Sequence, residues 1–221
     1  MTPEALATGL TTYVVLLFSL SFHEAAHAWT ASRMGDETAR EAGRVSLNPL
    51  VHIDPLGTVL IPLVQIFGPQ GIPLLGWAKP TPVIARNFRP GEFRRGQVLV
   101  AGAGPVSNLL LATIFTALLF VAVRLVHPVD AHQPVLKTIV IGVVMNVGLG
   151  IFNLLPLPPL DGSWLASYGL PPRLSDAYDR IVRPYGSWLL LILVATGGLY
   201  WITRPLINLV LGVLFDAALP R

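Results

Sequence analysis

The chain has no cysteine among its 221 residues, which excludes disulfides, cysteine zinc sites and cysteine nucleophiles. Charge is scarce as well. Asp, Glu, Lys and Arg make up 12% of the residues, against roughly 25% in an ordinary soluble domain. The few charges also avoid long stretches of the chain. Residues 5–32 carry a single formally charged side chain, Glu24, and residues 96–123, 138–160 and 184–203 carry none. About 20 apolar residues suffice to cross a bilayer, so each run can span. There is no internal repeat, low-complexity linker or second domain. The formal net charge of +3 reflects basic loops between the apolar runs and does not call for a nucleic-acid partner. Composition thus predicts an all-α polytopic membrane protein.

The basic residues divide unevenly between the two sides. With both ends of the 33–95 segment in the cytoplasm, twelve Lys and Arg fall on that side: Arg33, Arg40, Arg44, Lys79, Arg86, Arg89, Arg94, Arg95, Arg173, Arg180, Arg183 and Arg221. Only Arg124, Lys137 and Arg204 fall outside, as the positive-inside bias asks. The expected location is the cytoplasmic membrane, with an external N-terminus. The first run is read as a retained span. No basic region precedes it and no clean small-residue cleavage pattern follows, so it does not resemble a signal peptide.

Residues 55–78 are apolar but interrupted by Pro62, Pro69 and Pro73 and by Gly57, Gly68, Gly71 and Gly76. Irregular backbone at membrane depth survives only where protein or water covers it. This predicts a short helix over about 56–67 followed by a re-entrant loop or hairpin. The expected whole is one domain, 1–221. Its core has three helices near 5–34, 97–126 and 135–160, with a re-entrant segment over 35–96. One or two further transmembrane helices lie within 184–219, where 184–203 is long enough to span and 205–215 forms a half-span or a second short helix.

Chemistry enters with His23-Glu24-Ala25-Ala26-His27 inside the first span. Two histidines four apart share one helical face and can hold a zinc ion together, with the adjacent glutamate placed to take a proton from bound water. Ionisable groups within a membrane helix are costly and are functional by default. A catalytic zinc site generally needs a third protein ligand. His127 and His132 fall in the external loop, away from His23 and His27, and His52 reads as a structural loop residue. Asp161 is the outstanding carboxylate, because Pro156, Pro158 and Pro159 unwind the third span just before it, at the cytoplasmic depth of the first motif. Gly142, Asn146, Gly150 and Asn153 line one face of that span. Asn146 reads as an interhelical hydrogen-bonding residue, and Asn153 equally as that or as part of the site. Gly102, Gly104, Pro105, Ser107 and Asn108 read as a packing seam, and Trp164, Tyr168, Tyr185, Trp188, Tyr200 and Trp201 as interfacial belts.

His23-Glu24-x-x-His27, Asn153-x-x-Pro156 and Leu160-Asp161-Gly162 together resemble the site-2 protease family of intramembrane zinc metalloproteases, in its compact prokaryotic branch without PDZ or nucleotide-sensing domains. Gly43-Arg44-Val-Ser-Leu47-Asn48-Pro49, His52-Ile53-Asp54-Pro55-x-Gly57, Gly76-Trp77-Ala78-Lys79-Pro80 and Gly104-Pro105-x-x-Asn108 are similar to segments of that branch too. The resemblance implies that His23, His27 and Asp161 bind one Zn2+, that Glu24 is the general base and acid, and that Asn153 holds substrate or steadies the oxyanion. It implies a transmembrane protein or signal-peptide remnant as substrate, cut within the bilayer. Two rival functions are a zinc transporter and an inactive relative that binds membrane segments without cutting them. The oligomeric state is left open.

Overall fold

A computed structural model describes residues 2–67, 76–125 and 133–219, and among these residues all regular structure is helical. Among the described residues, four helices are long and apolar enough to cross a membrane. They are α1 (Pro3–Met34), α4 (Phe93–Leu125), α5 (Pro134–Asn153) and α9 (Gly198–Ala218). Between and after them lie the shorter helices α2 (Thr38–Glu41), α3 (Ile61–Phe67), α6 (Asp161–Gly169), α7 (Pro172–Ile181) and α8 (Gly186–Ala195). The protein is a multi-pass membrane protein.

Local chemistry sets the ends of α1. Thr2 accepts a hydrogen bond from the Ala5 N–H at 3.2 Å, and Pro3 opens the first turn, where a missing N–H costs nothing. At the other end Gly35, with φ 108°, sends its N–H back to the carbonyls of Ala31 and Ser32.

Helix α4 packs against both α1 and α5, and α1 also touches α5. Near the start of the bundle Lys137 Nζ donates to Thr8 Oγ1 at 2.6 Å, so α1 and α5 begin at the same end and run the same way. Both therefore deliver their C-terminal halves to the same end. Helix α9 closes the other side, where Ile207, Val210 and Leu211 cover Ala112 of α4 and Val143, Val147 and Ile151 of α5.

Helix α5 stops at Asn153, and the segment through Pro156, Pro158 and Pro159 carries the chain to Asp161, the first residue of α6. Gly162 must be glycine here, because a Cβ would collide with the carbonyls of Leu154 and Leu155. The segment following α1 returns to the bundle as an extended strip. The N–H groups of Trp77 and Lys79 donate to Gly57 O and His52 O, and that of Ile84 donates to Asp36 Oδ2 at 2.6 Å. A helical stretch from the π-turn Pro55–Leu60 through α3 precedes it. Residues 68–75, the expected loop or hairpin, lie outside the described residues.

The C-terminal region differs from the expected continuous span over 184–203. Helix α8 ends at Ala195, and Gly197, with φ 73°, breaks the chain before α9. The fourth long helix starts there and continues through Pro205 to Ala218. Hydropathy registers an apolar run but not a left-handed glycine within it.

Candidate metal centre

Residues four apart lie on one face of a helix, and in α1 this brings His23 and His27 together with ring centroids 4.6 Å apart. Both are buried, with exposures of 6% and 8%. Their Nε2 atoms stand 3.0 Å apart. Asp161 Oδ2 lies 3.1 Å from His23 Nε2 and 3.4 Å from His27 Nε2. That oxygen is buried and accepts no hydrogen bond.

The donor set fits zinc. Three N or O ligands held tetrahedrally about 2.0–2.2 Å from one ion stand roughly 3.3–3.5 Å from one another, close to the three separations seen here. A buried carboxylate oxygen left without a donor also suits a cation. Among the described residues His23, His27 and Asp161 are the one group of His, Asp and Glu whose ligand atoms converge in this way.

The outward-facing ring nitrogens fix the tautomers. His27 Nδ1 lies 2.7 Å from the Val100 carbonyl, which can only accept, so Nδ1 carries the hydrogen and Nε2 presents its lone pair. His23 Nδ1 lies 2.7 Å from Asn108 Oδ1, with the same consequence. A metal-binding imidazole commonly donates its other N–H in this manner. Gly104 lies between Val100 and Asn108 on α4 and faces the two rings. A Cβ there would stand 2.5 Å from His23 Cε1 and would overlap His27 Nε2.

Glu24 projects from α1 into the same cavity, of about 520 Å³, which Trp77, Thr81, Gln97, Asn153 and Trp164 also line. Its Oε2 accepts from the N–H and from the hydroxyl of Thr81, both at 2.8 Å. The extended strip thus grips the carboxylate.

Comparison with known proteins follows from this geometry. Residues 122–193 match the model of peptidase family M50. The chain is 39% identical to "Putative zinc metalloprotease YwhC" of Bacillus subtilis (strain 168) over 88% of its own length and 84% of that protein. It is 34% and 31% identical to two proteins named "Putative zinc metalloprotease Rip2", from Mycolicibacterium smegmatis and Mycobacterium tuberculosis (strain H37Rv), over 80% of its own length in each case. It spans 62% of the length of each of these mycobacterial proteins. No solved structure matches the chain.

The chain belongs to peptidase family M50.

Within this M50 protein, the residues expected from sequence have different fates. His23, His27 and Asp161 come together, and Glu24 shares their cavity. Asn153 lines it as well, but its Nδ2 donates to Leu149 O at 3.0 Å within its own helix. Asn146 makes the interhelical bonds expected of it, donating to Ser19 Oγ at 2.9 Å. His52 is buried and bonds Ser46 O at 2.8 Å through Nε2, a loop contact. His127 and His132 lie outside the described residues.

Two expectations are corrected. The seam holding Gly104 and Asn108 packs directly on the imidazoles of His23 and His27, so it is more than a helix contact. Trp164 is no simple belt residue either: it lines the cavity, stacks on Tyr168 with centroids 5.9 Å apart, and carries Arg183 at 4.3 Å over its ring. Sequence reasoning also missed Thr81 and the Val100 carbonyl. The spacing of Val100, Gly104 and Asn108, four by four, was the available signal for the latter group.

Proposed function

We propose that this M50 protein is a zinc-dependent endopeptidase that cuts a transmembrane segment of another membrane protein within the bilayer. The observation that carries this reading is the convergence of three buried ligand atoms in a cavity shared with Glu24, inside a bundle of membrane-spanning helices. His23, His27 and Asp161 would hold the ion. When bound, zinc supplies a Lewis acid that brings the pKa of a coordinated water to about 7 and polarises the scissile carbonyl.

The remaining chemistry belongs to the protein. Thr81 occupies Glu24 Oε2, which leaves Oε1 to take the proton from the attacking water and return it to the leaving amine. Asn153, at the cavity wall, is placed to hold substrate or the developing oxyanion, provided its amide leaves Leu149 O. A substrate helix satisfies its own backbone hydrogen bonds, so it must unwind before its carbonyl is reachable. The extended strip around Trp77–Thr81 offers an edge for the unwound chain to lie against. Pro80 and Pro82 have no N–H, so they can accept from that chain but not donate to it. The basic-residue distribution supports a centre towards the cytoplasmic side of the cell membrane. A membrane-anchored protein or a signal-peptide remnant is the substrate class this reading implies.

The test is Glu24→Gln in the reconstituted protein. One zinc per chain should remain while cleavage falls by about 10²–10⁴, the usual worth of a positioned general base. Membrane peptides that accumulate in cells carrying the variant, read by mass spectrometry, would identify the substrate. Unimpaired cleavage would sink the proposal. So would zinc flux into proteoliposomes that survives Glu24→Gln, which points to transport instead.

A further inference from the structure

Asn108 and Asn146 are both fully buried between α1, α4 and α5, and neither touches the cavity. Their hydrogen bonds have only one consistent direction. Gly142 O can only accept, so the Asn146 group 2.9 Å from it is the Nδ2 donor. The same Nδ2 donates to Ser19 Oγ at 2.9 Å. Asn146 must therefore turn Oδ1 towards Asn108, which answers with its Nδ2 at 3.0 Å. That Nδ2 also donates to the Ser19 carbonyl at 3.3 Å, another group that can only accept. Asn108 is left with Oδ1 facing His23 Nδ1 at 2.7 Å. A reversed Asn108 amide would set its Oδ1 against the Ser19 carbonyl and Asn146 Oδ1, neither of which can donate, and would demand a lone pair from His23 Nδ1. The hydrogen of a neutral ring would then sit on Nε2, where it blocks a metal.

We propose that Asn108, oriented by Asn146 and by backbone carbonyls of α1 and α5, is a positioning residue that locks His23 in its metal-binding tautomer. The packing of the three core helices is thereby coupled to metal affinity. The proposal rests on the reading of His23, His27 and Asp161 as ligands. Losing an outer partner of a metal-bound histidine typically weakens affinity 10- to 100-fold. Loss of Asn146 should weaken it less, because Asn108 keeps the Ser19 carbonyl as an anchor.

The experiment is zinc affinity of the purified full chain, measured by competition with a chelator, with the Co2+ absorption spectrum as a second readout. Asn108→Leu should bind zinc 10- to 100-fold more weakly and alter the Co2+ spectrum, while metal-free thermal stability and helix content show whether the bundle itself is intact. Asn146→Ala should lose less than tenfold. Where Asn108→Leu does not fold, Asn146→Ala decides by the same measure, and affinity equal to wild type overturns the proposal. Wild-type affinity in a folded Asn108→Leu overturns it too. His23→Ala and Asp161→Ala separate the two levels. If they bind zinc as tightly as wild type, the metal centre itself is wrong; if they lose zinc while Asn108→Leu does not, only the positioning role fails.

Discussion

Gly104 is the position where one added methyl should do the most damage. Its Cβ would lie 2.5 Å from His23 Cε1 and 2.6 Å from His23 Nε2, where ordinary contact begins at 3.4 Å. Something must yield by about 0.8–0.9 Å. Moving the rings away exceeds the roughly 0.2 Å tolerance of a metal–ligand distance. Moving α4 away is no better, because Val100 and Asn108 lie a turn to either side of Gly104 on the same face. Their bonds to His27 and His23, both 2.7 Å, would stretch to about 3.5 Å, at the edge of any hydrogen bond. Overpacking of this kind costs about 1–3 kcal/mol in its own right, and two weakened outer partners multiply the 10- to 100-fold loss expected of one. Gly104→Ala should therefore bind zinc at least ~100-fold more weakly in chelator competition while the helices stay folded. Gly102→Ala is the control, since its Cβ would meet only Leu165 Cδ2, at an ordinary 3.7 Å, and its affinity should equal wild type. Equal affinities for the two variants would refute the reasoning.

Asp161→Ala should lower zinc affinity by more than the ~100-fold ceiling of an outer-partner loss, since it removes a ligand atom; an affinity within tenfold of wild type would count against ligation. Thr81→Val removes the hydroxyl bond to Glu24 but keeps the backbone N–H. Hydrogen bonds to charged groups are worth about 1.5–3 kcal/mol, so turnover should fall roughly 10- to 100-fold with zinc affinity unchanged, and a matching fall in affinity would show that Thr81 acts on the metal instead. Asp36 anchors the far end of the extended strip and is buried. Burial alone would raise its pKa, but bonds from the Thr38 hydroxyl, the Ile84 N–H, the Asn87 amide and the Thr38 N–H together hold it below the usual carboxylate range. A depressed carboxyl contributes stability that is full above its unfolded value of about 3.9 and is lost as pH falls through the folded one. Asp36→Asn should cost about 1–3 kcal/mol near neutrality and should flatten the loss of thermal stability below pH 4, as read by circular dichroism in detergent micelles.

The residues readable from sequence are those whose signal is local. The histidines and Glu24 sit within one turn of one helix, and an apolar run surrounds them. Asp161 was legible because three prolines end α5 just before it. What escaped was held by partners remote along the chain. Thr81 reaches Glu24 across 57 positions, Val100 reaches His27 across 73 and Asn108 reaches His23 across 85. Val100 acts through its carbonyl, which no side-chain identity announces. Asn108 and Gly104 stood out as a small-residue seam, but their distance from the histidines was not in the sequence. Gly197 was hidden differently: its φ of 73° is allowed by glycine, yet glycine is also common inside membrane helices.

The site divides its work among separate elements. Helix α1 and the start of α6 supply the candidate ligand atoms, and α1 and α5 run parallel so that both reach one end of the bundle. Helix α4 runs between them and gives no ligand. It contributes a mould instead: one carbonyl, one glycine and one amide at successive turns of a single face, each against an imidazole. The strip around Trp77–Thr81 touches the Glu24 carboxylate through Thr81. On the proposed reading, metal affinity and proton transfer are therefore set by different pieces of the chain, joined through the adjacency of His23 and Glu24 on α1. Substitutions on the α4 face should change affinity and leave the intrinsic rate of the loaded protein near normal. Substitutions on the strip should do the reverse. A variant of Thr81 that changes both would mean that Thr81 acts on the metal centre itself, and that the two functions share one mechanical part.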